Sequence, residues 1–478
     1  MSKIQLNLDN SPFATQLGAT ERWQRQASDT LIRALLESGA LSQSSAELGS
    51  DNLTIHNAIL VLGPRGAGKT VFLKNVQKIW EESAASQVAP RLYFCRDVDP
   101  TLLVERDNFA NVVIAHLFNE VTDKWEKQGD PPPGIEQDFY AALDKLANAL
   151  GNTEHSSAGA AGIDRIISYR SGIQLESLFQ RFVRTTIRAL DVDAIVLPID
   201  DVDMALGRAF DVLDVVRRLL GCPYIIPIVS GDLALYRPII TDHFASGGVT
   251  PKSVLIDRPS AEGLTDAYLT KLFTVKNRIE LLGLSELLPE LVVRERDREQ
   301  SAEEFLDMIA RALCPLVNGE ENSRDWPQPG TPREFEQVAR MFAPSFLSRK
   351  ASDVGEFWYR AKVLASGREH GSLELVADAE RWLIQQRQVD IIPRLMSMEV
   401  FNVTAQAHVR SSRGHDKPYF KQLEKALSEL PLSPSVLQSH RAFLGRLEEN
   451  PYTRRSLPPL EFFSERLPPS AKAVTIIS

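Results

Sequence analysis

The sequence predicts an α/β fold, a parallel sheet covered by helices, and three observations carry that prediction. Short apolar runs recur at Ala58–Leu62, Arg91–Cys95, Ala194–Ile199, Tyr224–Val229 and Ser253–Ile256. Segments with helical spacing of apolar residues separate them. The first run leads through a glycine-rich turn straight into a helical pattern at Val71–Trp80. Alternation of this kind puts strands side by side in one direction with helices on both faces.

The elements follow in order. Glu21–Leu36 reads as an amphipathic helix, with Trp23, Ala27, Leu31, Ala34 and Leu35 at helical spacing. The Ser- and Gly-containing stretch Ser42–Asn52 reads as a linker. About a hundred residues separate the second and third runs, too many for one crossover. They hold a helical pattern at Phe109–Trp125, a breaker-rich stretch Lys127–Gln137, a Ser/Ala/Gly-rich loop Gly151–Gly162 and a returning helix Leu175–Leu190. This predicts a helical insertion at about residues 97–190. Pro198 and Pro227 lie inside two expected central strands, where each removes a ladder donor, so a bulge or a missing bond is expected.

Beyond Ile256 no strand series is expected. Leu264–Phe273, Ala302–Leu313 and Glu334–Phe342 read as helices. From Phe346 the chain carries 19 Lys+Arg against 15 Asp+Glu, or +4. The whole chain is −9, so the first 345 residues hold −13. That change of sign supports a separate C-terminal domain. The expected organisation is an N-terminal helical segment and linker at 1–52, a core at 53–258, a helical lid at 259–345 and a helical domain at 346–478.

Composition excludes several classes. With 43% apolar and 24% charged residues in 478, the chain is neither disordered nor fibrous. The net charge of −9 argues against a general polyanion binder. Cys95, Cys222 and Cys314 form no metal-ligand spacing and no disulfide framework. There is no HExxH pair and no GxSxG nucleophile elbow. No apolar run approaches the ~20 residues of a membrane span, and MSKIQLNLDN has no apolar signal core. A soluble, cytoplasmic protein is expected.

The chemistry is concentrated in one turn. Gly63-Pro64-Arg65-Gly66-Ala67-Gly68-Lys69-Thr70, followed by Val71, matches the phosphate-binding pattern GxxxxGK[ST] between a strand and a helix. Glycines let successive N–H groups point at phosphates. Lys69 would reach the β- and γ-phosphates, and Thr70 would bind Mg²⁺ through its hydroxyl. Ile195–Asp203 is an apolar strand ending in acids. Asp200 would hold the Mg²⁺ shell, and Asp201 would orient or deprotonate water. Asp203 could share that second role. Ile226–Asp232 is another strand ending in polar groups, where Ser230 or Asp232 would face the γ-phosphate. Asp232 could equally be the N-cap of the following helix. Cys95 reads as a small core residue rather than a nucleophile.

The order of phosphate loop, acidic strand end, polar strand end, short fifth strand Ser253–Ile256 and Arg258-Pro259-Ser260 resembles the AAA+ ATPase class. Gly330-Thr331-Pro332-Arg333 resembles the turn that carries a sensor arginine in the lid of that class. Asp200-Asp201-Val202-Asp203 is similar to the acidic strings of KAP-type and STAND-type NTPases. Asp99-Pro100-Thr101-Leu102-Leu103 is similar to a segment of bacterial antiphage-defence ATPases. The resemblance covers about residues 55–345. It implies a P-loop NTPase core with strand order 5-1-4-3-2, ATP and Mg²⁺ as cofactors, Arg333 on the γ-phosphate, hydrolysis, and homo-oligomers or a partner effector protein. Defence against phage is the setting it implies. No arginine stands at the end of the helix after Asp232. Arg217, Arg218 and Arg237, without obvious partners in their own helices, are the alternatives for a trans-acting finger. Arg410–Lys421, mixing cations with Tyr419 and Phe420, is the best candidate for gripping nucleic acid. An ATP-binding regulatory scaffold with little hydrolysis and a small-molecule kinase are the competing readings.

Overall fold

The computed structural model describes residues 3–10, 17–48, 53–83, 90–103, 108–129, 131–132, 134–155, 163–205, 207–246, 257–313, 328–348 and 354–365. Its elements begin with β1 (Ile4–Asn7), α1 (Arg25–Leu48), β2 (Ile59–Leu62), α2 (Lys69–Lys74), α3 (Val76–Glu81) and β3 (Leu92–Phe94). Next come α4 (Phe109–Gln128), α5 (Ile135–His155), α6 (Ile163–Leu190), β4 (Ala194–Ile199), α7 (Ala209–Arg218), β5 (Ile225–Gly231), α8 (Leu233–Ala245), α9 (Arg258–Leu272) and β6 (Arg278–Glu280). The last are α10 (Leu284–Leu287), β7 (Leu291–Glu295), β8 (Arg298–Ser301), α11 (Ala302–Leu313), α12 (Pro332–Met341), α13 (Pro344–Leu347) and α14 (Val354–Ala365). They fall into two compact units, Phe13–Gly283 and Met1–Pro12 with Leu284 onward.

The first unit is built on a five-stranded, all-parallel sheet in the order β3-β4-β5-β2-β6. Its strands are apolar on both faces because helices cover both. Ile59, Val61, Val196, Ile226, Ile228 and Ile279 pack with Leu31 and Leu35 of α1, Phe72 of α2 and Ile79 of α3. Leu60, Ile195, Leu197, Ile199 and Val229 face the other way. They join Val113 and Leu117 of α4, Phe182 of α6, Val212 of α7, Ile240 of α8 and Leu269 of α9.

Several expectations are corrected here. The edge strand beside β2 is Arg278–Glu280, and Ser253–Ile256 lies outside the described residues. The unit therefore runs to Gly283 and includes α9 and β6, rather than breaking at 258. Only Ile279 of β6 is buried, so the strand carries no apolar run to read. The expected linker is helix as far as Leu48. Its small residues are a packing face: Ser38, Ser42 and Ser45 are buried at positions i, i+4 and i+7. Ser42 donates to Ser38 O at 3.1 Å, and a Cβ on Gly39 would overlap Pro90. Three helices, α4, α5 and α6, run between β3 and β4. The expected loop at Gly151 is helical through His155.

Neither proline bulges its strand. β4 and β5 keep one constant register from Ile195↔Ile225 to Ile199↔Val229. The carbonyl of Pro198 accepts from Val98 N at 3.0 Å, so the missing donor faces chain beyond the last residue of β3. Pro227 comes opposite residue 58, just before β2 begins. Each lost bond thus falls where the neighbouring strand has stopped or not yet started.

The second unit contradicts an all-helical reading of the region after residue 259. Its sheet has the order β1-β7-β8, with β1 parallel to β7 and β7 antiparallel to β8. Arg296, at φ 54°, turns the β7–β8 hairpin. β8 (REQS) has no apolar residue and so no alternation to detect. Phe305 of α11 and Phe335 of α12 meet edge to face at 6.2 Å, and Phe342 and Phe357 do so at 5.7 Å. The basic segment Arg410–Lys421 lies outside the described residues.

Candidate functional site

The site forms at the C-terminal ends of three adjacent strands, β2, β5 and β4, where parallel α/β sheets gather ligand-binding groups. After β2 the chain curls through Gly66 (φ 86°) and Gly68 (φ 96°), conformations open to glycine at little cost. Ala67 N donates to Pro64 O at 3.1 Å and closes the turn. Pro64 and Arg65 are exposed, Gly63, Gly66, Gly68 and Thr70 are partly buried, Ala67 is buried and Val71 is exposed. A Cβ on Gly63 would come within 3.0 Å of the Ala67 methyl, so the loop's two ends close tightly there. The helix that follows breaks at Asn75, whose Nδ2 donates to Val71 O at 2.8 Å.

Lys69 is only 8% exposed. Its Nζ donates to Gly63 O at 2.7 Å and pairs with Asp203 Oδ2 at 3.4 Å. The cation is thus held over its own loop. Asp200 and Asp203 are buried, at 4% and 3% exposure. Ser230, wholly buried, donates to Asp200 Oδ1 at 2.6 Å and accepts from Asp201 N at 3.1 Å. One hydroxyl therefore ties β5 to both acids at the end of β4. Asp201 sits in the left-handed region (φ 50°, ψ 31°), a costly conformation for a non-glycine residue. That turn carries the chain into Val202–Met204 and brings Asp203 back to Lys69.

Burial and the negative charges of Asp200, Asp203 and Asp99 hold the Asp201 carboxyl above its ordinary value, against the pull of Lys69. Asp99 is present because the chain bridges from Val98 to Ile199 beyond the end of β3, with Asp200 N donating to Val98 O at 2.9 Å. Asp99 also caps its own turn, accepting from Thr101 N at 2.9 Å. Tyr236 of α8 donates to Ser230 O at 2.7 Å. Burial, then the nearby acids, push its phenol well above the ordinary value, so it stays a donor. Gly231 makes that approach feasible, since a Cβ there would overlap the Tyr236 hydroxyl.

Lys69, Asp200, Asp201 and Ser230 are therefore brought together. Asp203 joins them as the buried partner of Lys69, a role that residue spacing alone does not assign. Asp232 is the N-cap of α8, its Oδ1 accepting from Ala234 N at 2.8 Å. Arg333 belongs to the second unit, exposed in the first turn of α12. Thr331 and Glu334 cap that helix reciprocally: Glu334 N donates to Thr331 Oγ1 at 3.2 Å and Gly330 N to Glu334 Oε2 at 2.7 Å. The finger candidates are not unpartnered. Arg217 pairs with Asp214 at 2.7 Å and lies over the Tyr268 ring, and Arg218 reaches Asp214 and Glu176. Arg237 pairs with Asp266 at 2.6 Å. Two of the three thus find partners within their own helix, contrary to expectation.

No protein-family model matches this chain, and no curated protein matches it. The reading of the site rests on its own chemistry. Turned backbone amides, one lysine, one hydroxyl and converging carboxylates fit a polyphosphate with a hard divalent cation. Gly68 leaves open space where a side chain would project. Gly63 to Val71 would cradle the phosphates, and Thr70 and Asp200 would hold the ion.

Proposed function

We propose that the chain binds ATP with Mg²⁺ and hydrolyses it, coupling nucleotide state to engagement of another copy or a partner. The observation that carries this is a pair of polar groupings at three neighbouring strand ends: the buried pair Lys69–Asp203, and buried Ser230 holding the Asp200 carboxylate and the Asp201 backbone N–H. Packing alone gives no reason to bury so many ionisable groups together. Support also comes from the sheet order, in which β2, the strand before the Gly63–Thr70 turn, lies between β5 and β6, and β4, the strand before the acids, lies beyond β5.

Bound Mg²⁺ would supply a polarised γ-phosphate. Lys69 would exchange Gly63 O and Asp203 for phosphate oxygens. Asp200, fixed by Ser230, would face the ion. Asp201, whose carboxyl is held above its ordinary value, would accept the proton from water. Arg333 is proposed as a γ-phosphate sensor on the resemblance of its Gly330–Arg333 turn alone. Self-association with ATP through any of the three finger candidates would require Arg217, Arg218 or Arg237 to leave its acidic partner.

Steady-state phosphate release tests this reading, with and without DNA, RNA or a phosphoacceptor. Turnover that depends on Mg²⁺ and disappears in Lys69→Ala supports it. Transfer to an acceptor instead of water would make the chain a kinase, and ATP binding without turnover would make it a scaffold. Mass measurement with ATP tests self-association. Plaque counts on cells carrying the gene or its Lys69→Ala form test the phage setting.

A further inference from the structure

A second group of ligand-type side chains lies away from the phosphate loop. Cys95 follows β3, and His116 and Glu120 lie one turn apart on α4. The sulfur, a ring nitrogen and a carboxylate oxygen all fall within 4.8 Å of one another. Cys95 and Glu120 are buried and His116 partly so. We propose that these three side chains form a site for a zinc-type divalent ion, distinct from the Mg²⁺ position at Thr70 and Asp200.

The donor set selects the metal class. Thiolate and imidazole favour zinc-like ions over Mg²⁺ or Ca²⁺, which prefer all-oxygen shells. Three protein ligands leave a fourth position for water. The i, i+4 spacing of His116 and Glu120 presents both to one point, and Cys95 comes from the sheet edge opposite.

The surroundings are those of an oriented ligand set. Tyr93 donates to Glu120 Oε2 at 2.8 Å, and Arg96 N donates to Oε1 at 3.2 Å. His116 Nε2 lies 3.0 Å from Arg96 O and 3.5 Å from Glu120 Oε1, so the nitrogen beside the carboxylate would exchange the carbonyl for the ion. Contacts like those on Glu120 fix ligand orientation in metal sites. Arg96 Nε, 3.2 Å from Glu120 Oε1, is a competing cation. Its guanidinium is mostly exposed and already holds Asp123 at 2.6 Å, so it can leave Glu120 without losing every partner. As the sulfur–metal bond forms, the S–H bond breaks and its proton passes to solvent. The ion would pin α4 to the end of β3.

Titration of the full-length, chelator-treated chain with Co²⁺ and then Zn²⁺, without nucleotide, tests this. The expected result is one ion per chain, a thiolate-to-cobalt charge-transfer absorption, and release of a proton. Cys95→Ser should lose that absorption. His116→Gln, at a partly exposed position, should weaken binding at least about tenfold while melting like the parent. A parent chain with no thiolate absorption overturns the proposal, whatever the variants do. So does a folded Cys95→Ser chain that binds cobalt with the parent's spectrum, because the sulfur would then belong to Cys222 or Cys314.

Discussion

The strand-end cluster and the Gly330–Arg333 turn both carry residues that the sequence nominates for the γ-phosphate, and they are built in opposite ways. At the strand ends, ionisable groups are buried and hold one another through Ser230, Lys69 and a strained Asp201. At the turn, Thr331 and Glu334 cap the helix start, and Arg333 projects from it exposed. A buried polar group whose environment gives it no packing reason points to chemistry. An exposed arginine beside a satisfied cap acquires meaning only when something binds it.

The comparison is broken most severely at Asp201. Asp201→Asn should retain ATP and lose about a hundred- to ten-thousandfold in turnover, the usual contribution of a positioned base. The base must be ionised, so turnover should fall as pH drops through the raised Asp201 pKa, with a midpoint above the ordinary 3.8. Asp99→Asn removes a negative neighbour and should move that acid limb to lower pH. Normal hydrolysis by Asp201→Asn would transfer the role to Asp203.

Lys69→Ala should weaken ATP binding by at least about a hundredfold, since two charge-assisted bonds of roughly 1.5–3 kcal/mol each are lost. It should also destabilise the protein by about 3–5 kcal/mol, because Asp203 is left buried and unpaired. Adding Asp203→Asn should recover much of the stability and none of the affinity. Unchanged nucleotide affinity in calorimetry would remove the phosphate-loop assignment.

Arg333→Ala should lower hydrolysis and narrow the ATP-over-ADP preference by about ten- to a hundredfold, the worth of one charge-assisted bond. Its melting temperature without nucleotide should barely change. A large fall in that temperature with an intact ATP/ADP ratio would make Arg333 structural. Gly231→Ala has the smallest expected effect, about 1–3 kcal/mol of stability from overpacking against Tyr236. Thermal melts of Gly231→Ala check this, and adding Tyr236→Phe should not restore stability, because ring carbons Cζ and Cε2 would still overlap the new methyl.

Legibility in the sequence follows burial. Ala194–Ile199 is six buried residues between helices, and its apolar run reads directly as a strand. Lys69 to Thr70 and Asp200 read as a site because spacing along the chain fixes them. β6 and β8 do not read, because sheet edges tolerate charge and supply few apolar side chains. Ser42 reads as linker because small residues serve both loops and tight helix faces. Lys69–Asp203 and Cys95–His116–Glu120 join elements far apart in sequence, so no local pattern contains them. The His116–Glu120 spacing was the one local signal for the second group.

The pairing of β1 with β7 has a consequence for synthesis. Ile4 lies opposite Leu291, 287 residues later. At roughly 5–20 residues per second, β1 is outside the ribosome for about a quarter of a minute to a minute before its partner exists. Through that interval Ile4 and Leu6 are unpaired β-strand side chains, open to other nascent chains. Codon usage or chaperone supply that slows or shields the intervening segment should therefore set the yield of the second unit and leave the unit Phe13–Gly283 to fold on its own schedule.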